Sequence, residues 1–322
     1  MKAVIVEKYG DVNSLEIRQD VDVPAAVEGT VLVRMHAAGI NNIEARIRKN
    51  GWRGFVTPFT IGLDGAGVVE AVGEGVSLFK PGDRVYVFQP RTGTYADYCL
   101  ADEEKVYKLH DRLSFEEGAL LPTPYFTALR ALKRANFEKG NSVLIQGASG
   151  AVGLAGIQIA RGLGASKVFG TAGTERGLRL VKEMGADVAF NYKSPDFITD
   201  LKEAVGPSGV DVIVETNADI NLGTDIDILA RYGHIAITGK RGEARCVPHL
   251  LVAKECTVIG SSLFFSKIEE RRVLHEVLYQ GVEDGWLKPY VGGTFKFDDV
   301  RASHVDIEQR SGSTGKKVLL IN

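Results

Sequence analysis

The 322-residue sequence predicts an α/β protein that combines a β-rich domain with a doubly wound parallel sheet. A buried strand over Val143–Ile145 leads into glycines at 147, 150 and 153, and the helical run Leu154–Arg161 follows them. Strands and helices alternate after this point, and short strands between turn signals come before it. Such alternation predicts parallel strands covered by helices on both faces.

The first third of the chain reads as a barrel-like arrangement of short strands. One helix, Asn42–Lys49, interrupts them. A Ser114-Phe-Glu-Glu117 capping box starts a second helix at Phe115, and Thr123–Leu132 starts a third. The predicted strands are Ala3–Glu7, Thr30–Ala37, Gly67–Val72, Arg84–Phe88, Tyr95–Leu100 and Lys105–Leu109.

After the glycine segment the pattern is a regular series of strand and helix. The predicted strands are Lys167–Thr171, Asp187–Asn191, Val210–Thr216, His234–Thr238 and Thr257–Ser261. The predicted helices are Glu175–Met184, Asp196–Val205, Asp219–Arg231 and the amphipathic Lys267–Glu283. Lys316–Ile321 reads as a last strand that rejoins the first domain. We therefore expect one domain over 1–124, completed by 263–322, and a second over 125–262.

The glycine segment predicts a phosphate site. A tight turn between strand and helix leaves helix-start amides pointing outward, and glycines let a phosphate approach the backbone. The alternative is a tight turn in some other α/β protein. The strand–helix series that follows favours a dinucleotide site.

Composition excludes several classes of function. The chain has 39 basic and 41 acidic residues, so nothing in its charge favours nucleic acid or a charged membrane. No apolar run is long enough to span a bilayer. The three scattered cysteines fit neither a disulfide framework nor a zinc lobe, and they favour a reducing, cytoplasmic location.

Seven motifs occur in order along nearly the whole chain. They are Ala38-Gly-Ile-Asn-Asn42, Gly62-Leu-Asp-Gly-Ala-Gly-Val68, Lys80-Pro-Gly-Asp-Arg-Val85, Pro124-Tyr-Phe-Thr-Ala128, Gly147–Gly153, Gly170-Thr-Ala-Gly-Thr174 and Thr314-Gly-Lys316. This set resembles the zinc-free quinone oxidoreductases, typified by zeta-crystallin, of the medium-chain dehydrogenase/reductase superfamily. The resemblance implies a GroES-like catalytic domain, a Rossmann domain, NADPH as hydride donor, and quinone or conjugated carbonyl acceptors.

The resemblance also allows the zinc-ligand positions of the superfamily to be compared with this chain. Zinc dehydrogenases of the superfamily place a Cys and a His where this chain has Asn41 and Leu63, and no Cys lies near Leu121–Thr123. A catalytic zinc needs three converging ligands, and the six histidines show no metal-ligand spacing. We expect no metal site. Hydride transfer to an electron-poor quinone or enone is then easier than alcohol oxidation, which needs a Lewis acid.

NADPH is favoured over NADH because no acid ends the second strand of the nucleotide domain. Arg176 can meet a 2′-phosphate, and the resemblance places Tyr192, beside Lys193, at the adenosine phosphate. Solvated surface charge is the alternative for both Arg176 and Lys193. The full set of expected cofactor residues is Gly147, Ala148, Ser149, Gly150, Ala151, Val152, Gly153, Thr171, Gly173, Thr174, Arg176, Tyr192, Gly239, Arg241, Phe264 and Lys316.

Three residues are expected at the reacting end. The resemblance makes Asn41 a donor toward the substrate carbonyl and places Thr127 near the nicotinamide amide. Asn41 is also a good helix cap, and Thr127 can bond its own backbone. Arg46 stands where the family usually carries Tyr; it can bind a polar or anionic acceptor, or point to solvent.

Other functions stay open. Arg46 and Arg53 suit the phosphates of a CoA arm, so an enoyl-thioester reductase is an alternative. The resemblance also allows an RNA-binding or structural, zeta-crystallin-like role. The edge strand Thr257–Ser261 favours pairing of subunits, as a homodimer or homotetramer.

Overall fold

The computed structural model describes residues 1–52, 54–239, 242–309 and 314–321. Within them, the strands are β1 Ala3–Val6, β2 Leu15–Arg18, β3 Thr30–Ile40, β4 Phe59–Thr60, β5 Asp64–Val72, β6 Arg84–Phe88, β7 Tyr98–Asp102, β8 Val106–Lys108, β9 Ser142–Ile145, β10 Lys167–Ala172, β11 Val188–Asn191, β12 Val210–Glu215, β13 Leu229–Ile237, β14 Thr257–Gly260, β15 Val291–Lys296 and β16 Lys316–Leu320. The helices are α1 Asn42–Asn50, α2 Phe115–Gly118, α3 Phe126–Arg134, α4 Ala151–Gly162, α5 Glu175–Glu183, α6 Phe197–Val205, α7 Ala218–Ile228, α8 Pro248–Lys254, α9 Ile268–Glu283 and α10 Val300–Gln309.

The chain forms two compact units, Met1–Thr123 with Lys288–Asn322, and Pro124–Leu287. This division differs from the sequence prediction at the point where the chain returns from the second unit to the first. The long helix α9 belongs to the second unit, so the chain returns at Lys288 rather than at residue 263. Leu274 and Leu278 of α9 are buried, while Val273 is 43% exposed.

The first unit is the predicted β-rich domain. Its larger sheet runs in the order β15-β16-β3-β5-β6-β8, with β7 also paired to β3, and a smaller sheet runs β2-β1-β4. The strand predicted over Tyr95–Leu100 begins only at Tyr98 and continues to Asp102. The reason is a change of partner: Ala96 bridges Ala3 of β1, whereas β7 pairs with β3. Apolar side chains from both sheets pack into one core.

The second unit confirms the doubly wound prediction. Its strands are all parallel and run in the order β11-β10-β9-β12-β13-β14. Numbered along the chain this order is 3-2-1-4-5-6, so the central strand β9 marks the switch point at whose carboxyl end such sheets bind ligands. In the core, Leu144 and Ile213 lie beside each other on β9 and β12 and are fully buried.

Two boundaries in this unit differ from the sequence prediction. Helix α7 ends at Ile228, and residues 229–231 join β13, because Leu229 pairs with Val210 before an irregular step in the ladder. Tyr232 absorbs that step with a φ of 64°. Helix α3 begins at Phe126, after a π-helical turn over Leu121–Tyr125 that contains Pro124, a residue that cannot donate a helical hydrogen bond.

No helix in the described part of the chain has the length and apolar character that crossing a bilayer requires.

The indole ring of Trp286 packs against glycines in two helices of the second unit. A Cβ on Gly162 at the end of α4 would lie 2.2 Å from the indole Cδ2, and one on Gly281 in α9 would lie 2.4 Å from Cζ2. Both distances are far below contact distance. The absence of two methyl groups therefore makes the room in which the indole sits.

We expect Gly281→Ala to lower the free energy of unfolding by about 1–3 kcal/mol, because the added methyl overpacks against Trp286. Helix propensity alone favours alanine by about 1 kcal/mol, so the sign of the change tests the packing argument. Urea denaturation measures it. Gly242→Ala is the control, since a Cβ there meets only Asp219 at 3.8 Å. Adding Trp286→Leu should remove the penalty of Gly281→Ala; a penalty that persists in the double variant would contradict the explanation.

Candidate active site

The turn between β9 and α4 uses its three glycines for different purposes. Gly147 has a φ of 65°, a conformation that a side chain would strain. A Cβ on Gly153 would lie 2.5 Å from the Cα of Ala148, so only glycine lets the helix start pack on the turn. A Cβ on Gly150 would meet only the Gly147 carbonyl at 3.3 Å, which leaves open space in front of the helix.

The start of α4 has no side-chain cap. Gly150 is its N-cap residue and has no side chain to accept a hydrogen bond. The amides of Ala151, Val152 and Gly153 lie in the first turn, where the helix supplies no acceptors. The dipole of a 12-residue helix adds positive potential at the same place. Donors, charge and open space together fit a pyrophosphate group.

The side of the turn away from this space is held by β10. The amide of Gly147 donates to Thr171 Oγ1 at 3.0 Å, and the amide of Ala148 donates to the Thr171 carbonyl at 2.7 Å. Thr171 is 1% exposed. It therefore supports the turn from within the sheet, whereas Ser149 and Gly150 form the outer part of the loop.

The carboxyl ends of β10 and β11 bring together the residues expected at the adenosine end. A Cβ on Gly173 would lie 2.3 Å from the Tyr192 hydroxyl oxygen, so the tyrosine lies directly against the glycine backbone. Thr174 caps α5 by accepting a bond from the Gly177 amide at 3.0 Å. Arg176 in the first turn of α5 and Lys193 after β11 are exposed. These positions share one edge of the sheet with the glycine turn.

The remaining predicted site residues of this unit follow β13 and β14 or lie on α3. Gly239 follows β13, and a Cβ there would lie 2.3 Å from the Thr216 carbonyl. Phe264 lies, half-buried, in a 3-10 turn after β14. Thr127 lies at the start of α3 and is half-buried. Arg241 and Arg53 lie outside the described residues.

In the first unit, Asn41 stands where β3 ends and α1 begins, and it is 7% exposed. Its side-chain Nδ2 faces Asp64 Oδ2 at 3.1 Å, Glu44 Oε1 at 3.2 Å and the Gly39 carbonyl at 3.3 Å. Two carboxylates fix the orientation of the amide, because only its NH₂ end can satisfy them. Both amide hydrogens are thus directed at groups of the protein. The donor role toward a substrate stays a prediction.

Asp64 and Lys316 form a buried ion pair. Their side chains are 0% and 2% exposed, and the ammonium also donates to the Ala119 carbonyl at 3.4 Å. Asp64 accepts two further bonds from Thr123, from its hydroxyl at 2.8 Å and its amide at 3.1 Å. The structure therefore places Lys316, a predicted cofactor residue, in a charge pair inside the first unit.

Glu44 is the second buried acid of this cluster. It accepts bonds from the amides of Asn41 and Leu63 and from the Tyr95 hydroxyl, each at 2.8 Å. Burial, and then the charge of Asp64, raise its pKa to about 7. These bonds tie the start of α1 to the residue before β5. Glu44 and Asp64 were not predicted from the sequence, although Asn41-x-x-Glu44 has the capping-box spacing that predicts the first of them.

Arg46 is exposed on α1, two residues before the fully buried Arg48. Asn41 and Leu63, which occupy the positions where zinc dehydrogenases have ligands, here donate hydrogen bonds from their backbone amides to Glu44. Over the described residues, no group of three or more His, Cys, Asp or Glu side chains is arranged to hold a metal ion.

Two family models match the chain. Residues 27–111 match the alcohol dehydrogenase GroES-like domain, and residues 151–278 match the zinc-binding dehydrogenase model. The first covers most of the β-rich unit before α2. The second begins at the first residue of α4.

Among known proteins, human quinone oxidoreductase is 43% identical over 323 residues, which cover 100% of this chain and 98% of that protein. The quinone oxidoreductase of Escherichia coli, solved in complex with NADPH, superposes with a TM-score of 0.88 at 28% identity, with complete coverage of both chains. A solved NAD-dependent alcohol dehydrogenase superposes with a TM-score of 0.90 at 30% identity, again over both complete chains.

Removing the positive charge that pairs with Asp64 should destabilise the protein. We expect Lys316→Met to lower the free energy of unfolding by about 3–5 kcal/mol, because a carboxylate is left buried without its cation. Chemical denaturation measures the loss.

Lys317→Met is the matched control, since among the described residues that ammonium donates to the Gly292 carbonyl at 3.1 Å alone, and its residue is half-buried. Removing both charges, with Asp64→Leu added to Lys316→Met, should recover part of the loss. A Lys316→Met protein as stable as the Lys317→Met control would refute the ion-pair interpretation.

Proposed function

The chain belongs to the quinone oxidoreductase family, and we propose that it catalyses the NADPH-dependent reduction of quinones and conjugated carbonyl compounds. The observation that carries this proposal is the uncapped start of α4 at the carboxyl end of the central strand, with open space at Gly150. The 43% identity to human quinone oxidoreductase over the whole chain supports the same reaction class.

The second unit would hold the cofactor at two places. The amides of Ala151–Gly153 would bind the pyrophosphate. Thr174, Arg176, Tyr192 and Lys193 would surround the adenosine phosphate, where two cations favour a 2′-phosphate over a free hydroxyl. On the family resemblance we place Phe264 and Thr127 toward the nicotinamide, and from its position after a strand end we place Gly239 toward the pyrophosphate. When bound, NADPH supplies a hydride that, with one proton, reduces a quinone to a hydroquinone or saturates a conjugated C=C bond.

On the acceptor side we propose Asn41 and Arg46. Negative charge develops on the acceptor oxygen, and a positioned donor stabilises it. Arg46 is an exposed guanidinium on α1 and can serve as that donor. Asn41, whose amide hydrogens face Glu44 and Asp64, holds the start of the helix that carries Arg46. Lys316 contributes by neutralising Asp64.

The test is steady-state oxidation of NADPH and of NADH, followed at 340 nm with a naphthoquinone as acceptor. We expect kcat/KM to be at least about tenfold higher with NADPH, since a charge-assisted hydrogen bond to the 2′-phosphate contributes about 1.5–3 kcal/mol. Arg176→Ala should raise KM for NADPH by a similar factor and leave turnover of NADH unchanged.

Arg179→Ala is the matched control, because Arg179 is exposed on the same helix, α5, one turn after Arg176. Crotonyl-CoA as acceptor tests the thioester alternative, which faster turnover than with the quinone would favour. No oxidation of NADPH with any quinone or enone in a broad panel would overturn the proposed function.

We also propose that two copies of the chain pair through β14. This strand lies at the edge of the six-stranded sheet, and its residues are half-buried or exposed in the single chain. Unpaired edges present free N–H and C=O groups, which proteins usually cover. Pairing of two β14 strands would cover them.

Light scattering during size-exclusion chromatography should give a mass of twice the 34.9 kDa chain. Gly260→Glu should shift the protein toward the monomer, because it places a carboxylate from each copy at the paired edge. A Cβ at Gly260 meets nothing within 4 Å, so the fold accommodates the change. A monomeric unmodified protein would refute pairing.

We propose a cytoplasmic location for the enzyme. The support is its cysteine usage: Cys99, Cys246 and Cys256 are all free thiols. Thiols persist in a reducing compartment, where disulfides are rare.

A further inference from the structure

Gln146 occupies the position between the end of β9 and Gly147. Its backbone N–H donates to the Val214 carbonyl at 3.0 Å, and its backbone carbonyl accepts from Thr216 Oγ1 at 2.9 Å. Residues of β12 and the residue after it therefore hold the main chain of Gln146. Its side chain is almost fully buried, with the residue 2% exposed. Both polar atoms of that side chain therefore need partners inside the protein.

Those partners form a continuous chain of hydrogen bonds that ends at the phosphate turn. Gln146 Nε2 donates to Asp225 Oδ1 at 2.7 Å, and Gln146 Oε1 accepts from the Thr171 hydroxyl at 2.9 Å. The Thr171 hydroxyl oxygen in turn accepts the amide of Gly147. Because a hydroxyl has one hydrogen, its bond to Gln146 leaves its lone pairs free to face Gly147.

At the other end of the chain, Asp225 lies against Glu215, and both residues are fully buried. Glu215 Oε2 and Asp225 Oδ2 are buried carboxyl oxygens for which the described residues provide no donor. Burial, and then a hydrogen bond with Glu215, raise the pKa of Asp225 well above its usual range. One proton held between the two oxygens satisfies both, as in other buried carboxyl pairs.

We propose that Gln146 and Asp225 are positioning residues for the phosphate-binding turn, and that one proton shared by Asp225 and Glu215 keeps their hydrogen-bond chain in the required orientation. The four residues Gln146, Thr171, Asp225 and Glu215 are here called the Gln146 network. A neutral Asp225 presents an acceptor to Gln146 and a donor to Glu215. Gln146 is thereby oriented with its oxygen toward Thr171, and Thr171 holds Gly147. The inference rests on the proposed binding of NADPH at this turn.

Two substitutions of Asp225 distinguish its effect on the orientation of the Gln146 side chain from the effect of filling the buried site. In Asp225→Asn, the amide oxygen still accepts from Gln146 and the NH₂ group donates to Glu215, so the network keeps its direction without the proton. In Asp225→Leu, Gln146 Nε2 and Glu215 Oε2 both lose their partner. The glutamine is then free to turn, and the Thr171 hydroxyl loses its fixed acceptor.

The experiment uses the full chain and two measurements. Hydrogen exchange of peptides covering 143–153, without cofactor, reports on the Gly147 amide, and fluorescence titration gives the NADPH dissociation constant. Asp225→Leu should speed exchange and raise the dissociation constant, each by about tenfold, as expected for losing a buried hydrogen bond. The kcat at saturating NADPH should change less than about threefold, since the reacting groups are untouched. Asp225→Asn should stay within about threefold of the unmodified protein in both measurements.

Asp211→Leu is the matched control. Asp211 binds the amide of Ser142 at 2.7 Å and its hydroxyl at 2.8 Å, at the opposite end of β9 from the turn. It should cost stability and leave both the turn exchange and the dissociation constant near the unmodified values. If Asp225→Leu does not fold, Thr171→Val breaks the same chain at its other end and should give the same two changes.

Normal exchange and normal NADPH affinity in a folded Asp225→Leu or Thr171→Val protein would overturn the inference. So would an Asp225→Asn protein that behaves like Asp225→Leu. An unmodified protein that does not bind NADPH would instead overturn the proposed function. The two failures are distinguishable because the exchange measurement needs no cofactor.

Discussion

The backbone amides at the start of α4, which have no acceptors of their own, are the constraint on which the second unit depends. A β-strand must turn into a helix within five residues, from Gln146 to Gly150. A side chain at Gly147 would strain the turn, and one at Gly150 would fill the space in front of it. Glycine solves both problems. On the proposed function, the main chain would bind the pyrophosphate, and the side chains beneath the turn would support it rather than contact the ligand. In keeping with this, the buried side chain of Gln146 bonds inward, toward Thr171 and Asp225.

The first unit solves a different problem, which is how to fix the junction of β3 and α1. Two acids, Glu44 and Asp64, accept hydrogen bonds there, and one cation, Lys316, partly balances them. Burying a charge is expensive, and good geometry with further hydrogen bonds is what offsets the cost. Asn41 supplies part of that compensation with its NH₂ group. On the proposed function, the acceptor would therefore meet Arg46 on a helix whose first turn these hydrogen bonds hold in place.

Periodicity and turn chemistry were enough to predict the doubly wound sheet, because its strands are continuous apolar runs separated by helices. Val212–Val214 is such a run, and it lies in the sheet as expected. Boundaries were wrong where tertiary pairing decided them, as for residues 229–231, which helical pattern alone could not assign to β13. The glycine turn was predictable from spacing because it is local. Partners far apart in sequence were not: Asp64 and Lys316 are separated by 252 residues, and Gln146 and Asp225 by 79.

The two buried polar clusters balance their charge in different ways, and the difference follows from what each must hold. Asp64 accepts from four groups on three separate segments, and one of these groups is the ammonium of Lys316, which balances its charge. Asp225 must accept from Gln146 on one side and donate to Glu215 on the other, which a carboxylate cannot do and a carboxylic acid can. A chain of hydrogen bonds that must point one way needs a group that is a donor at one end and an acceptor at the other. The proton on Asp225 makes that residue such a group, and it is what gives the Gln146 network a direction.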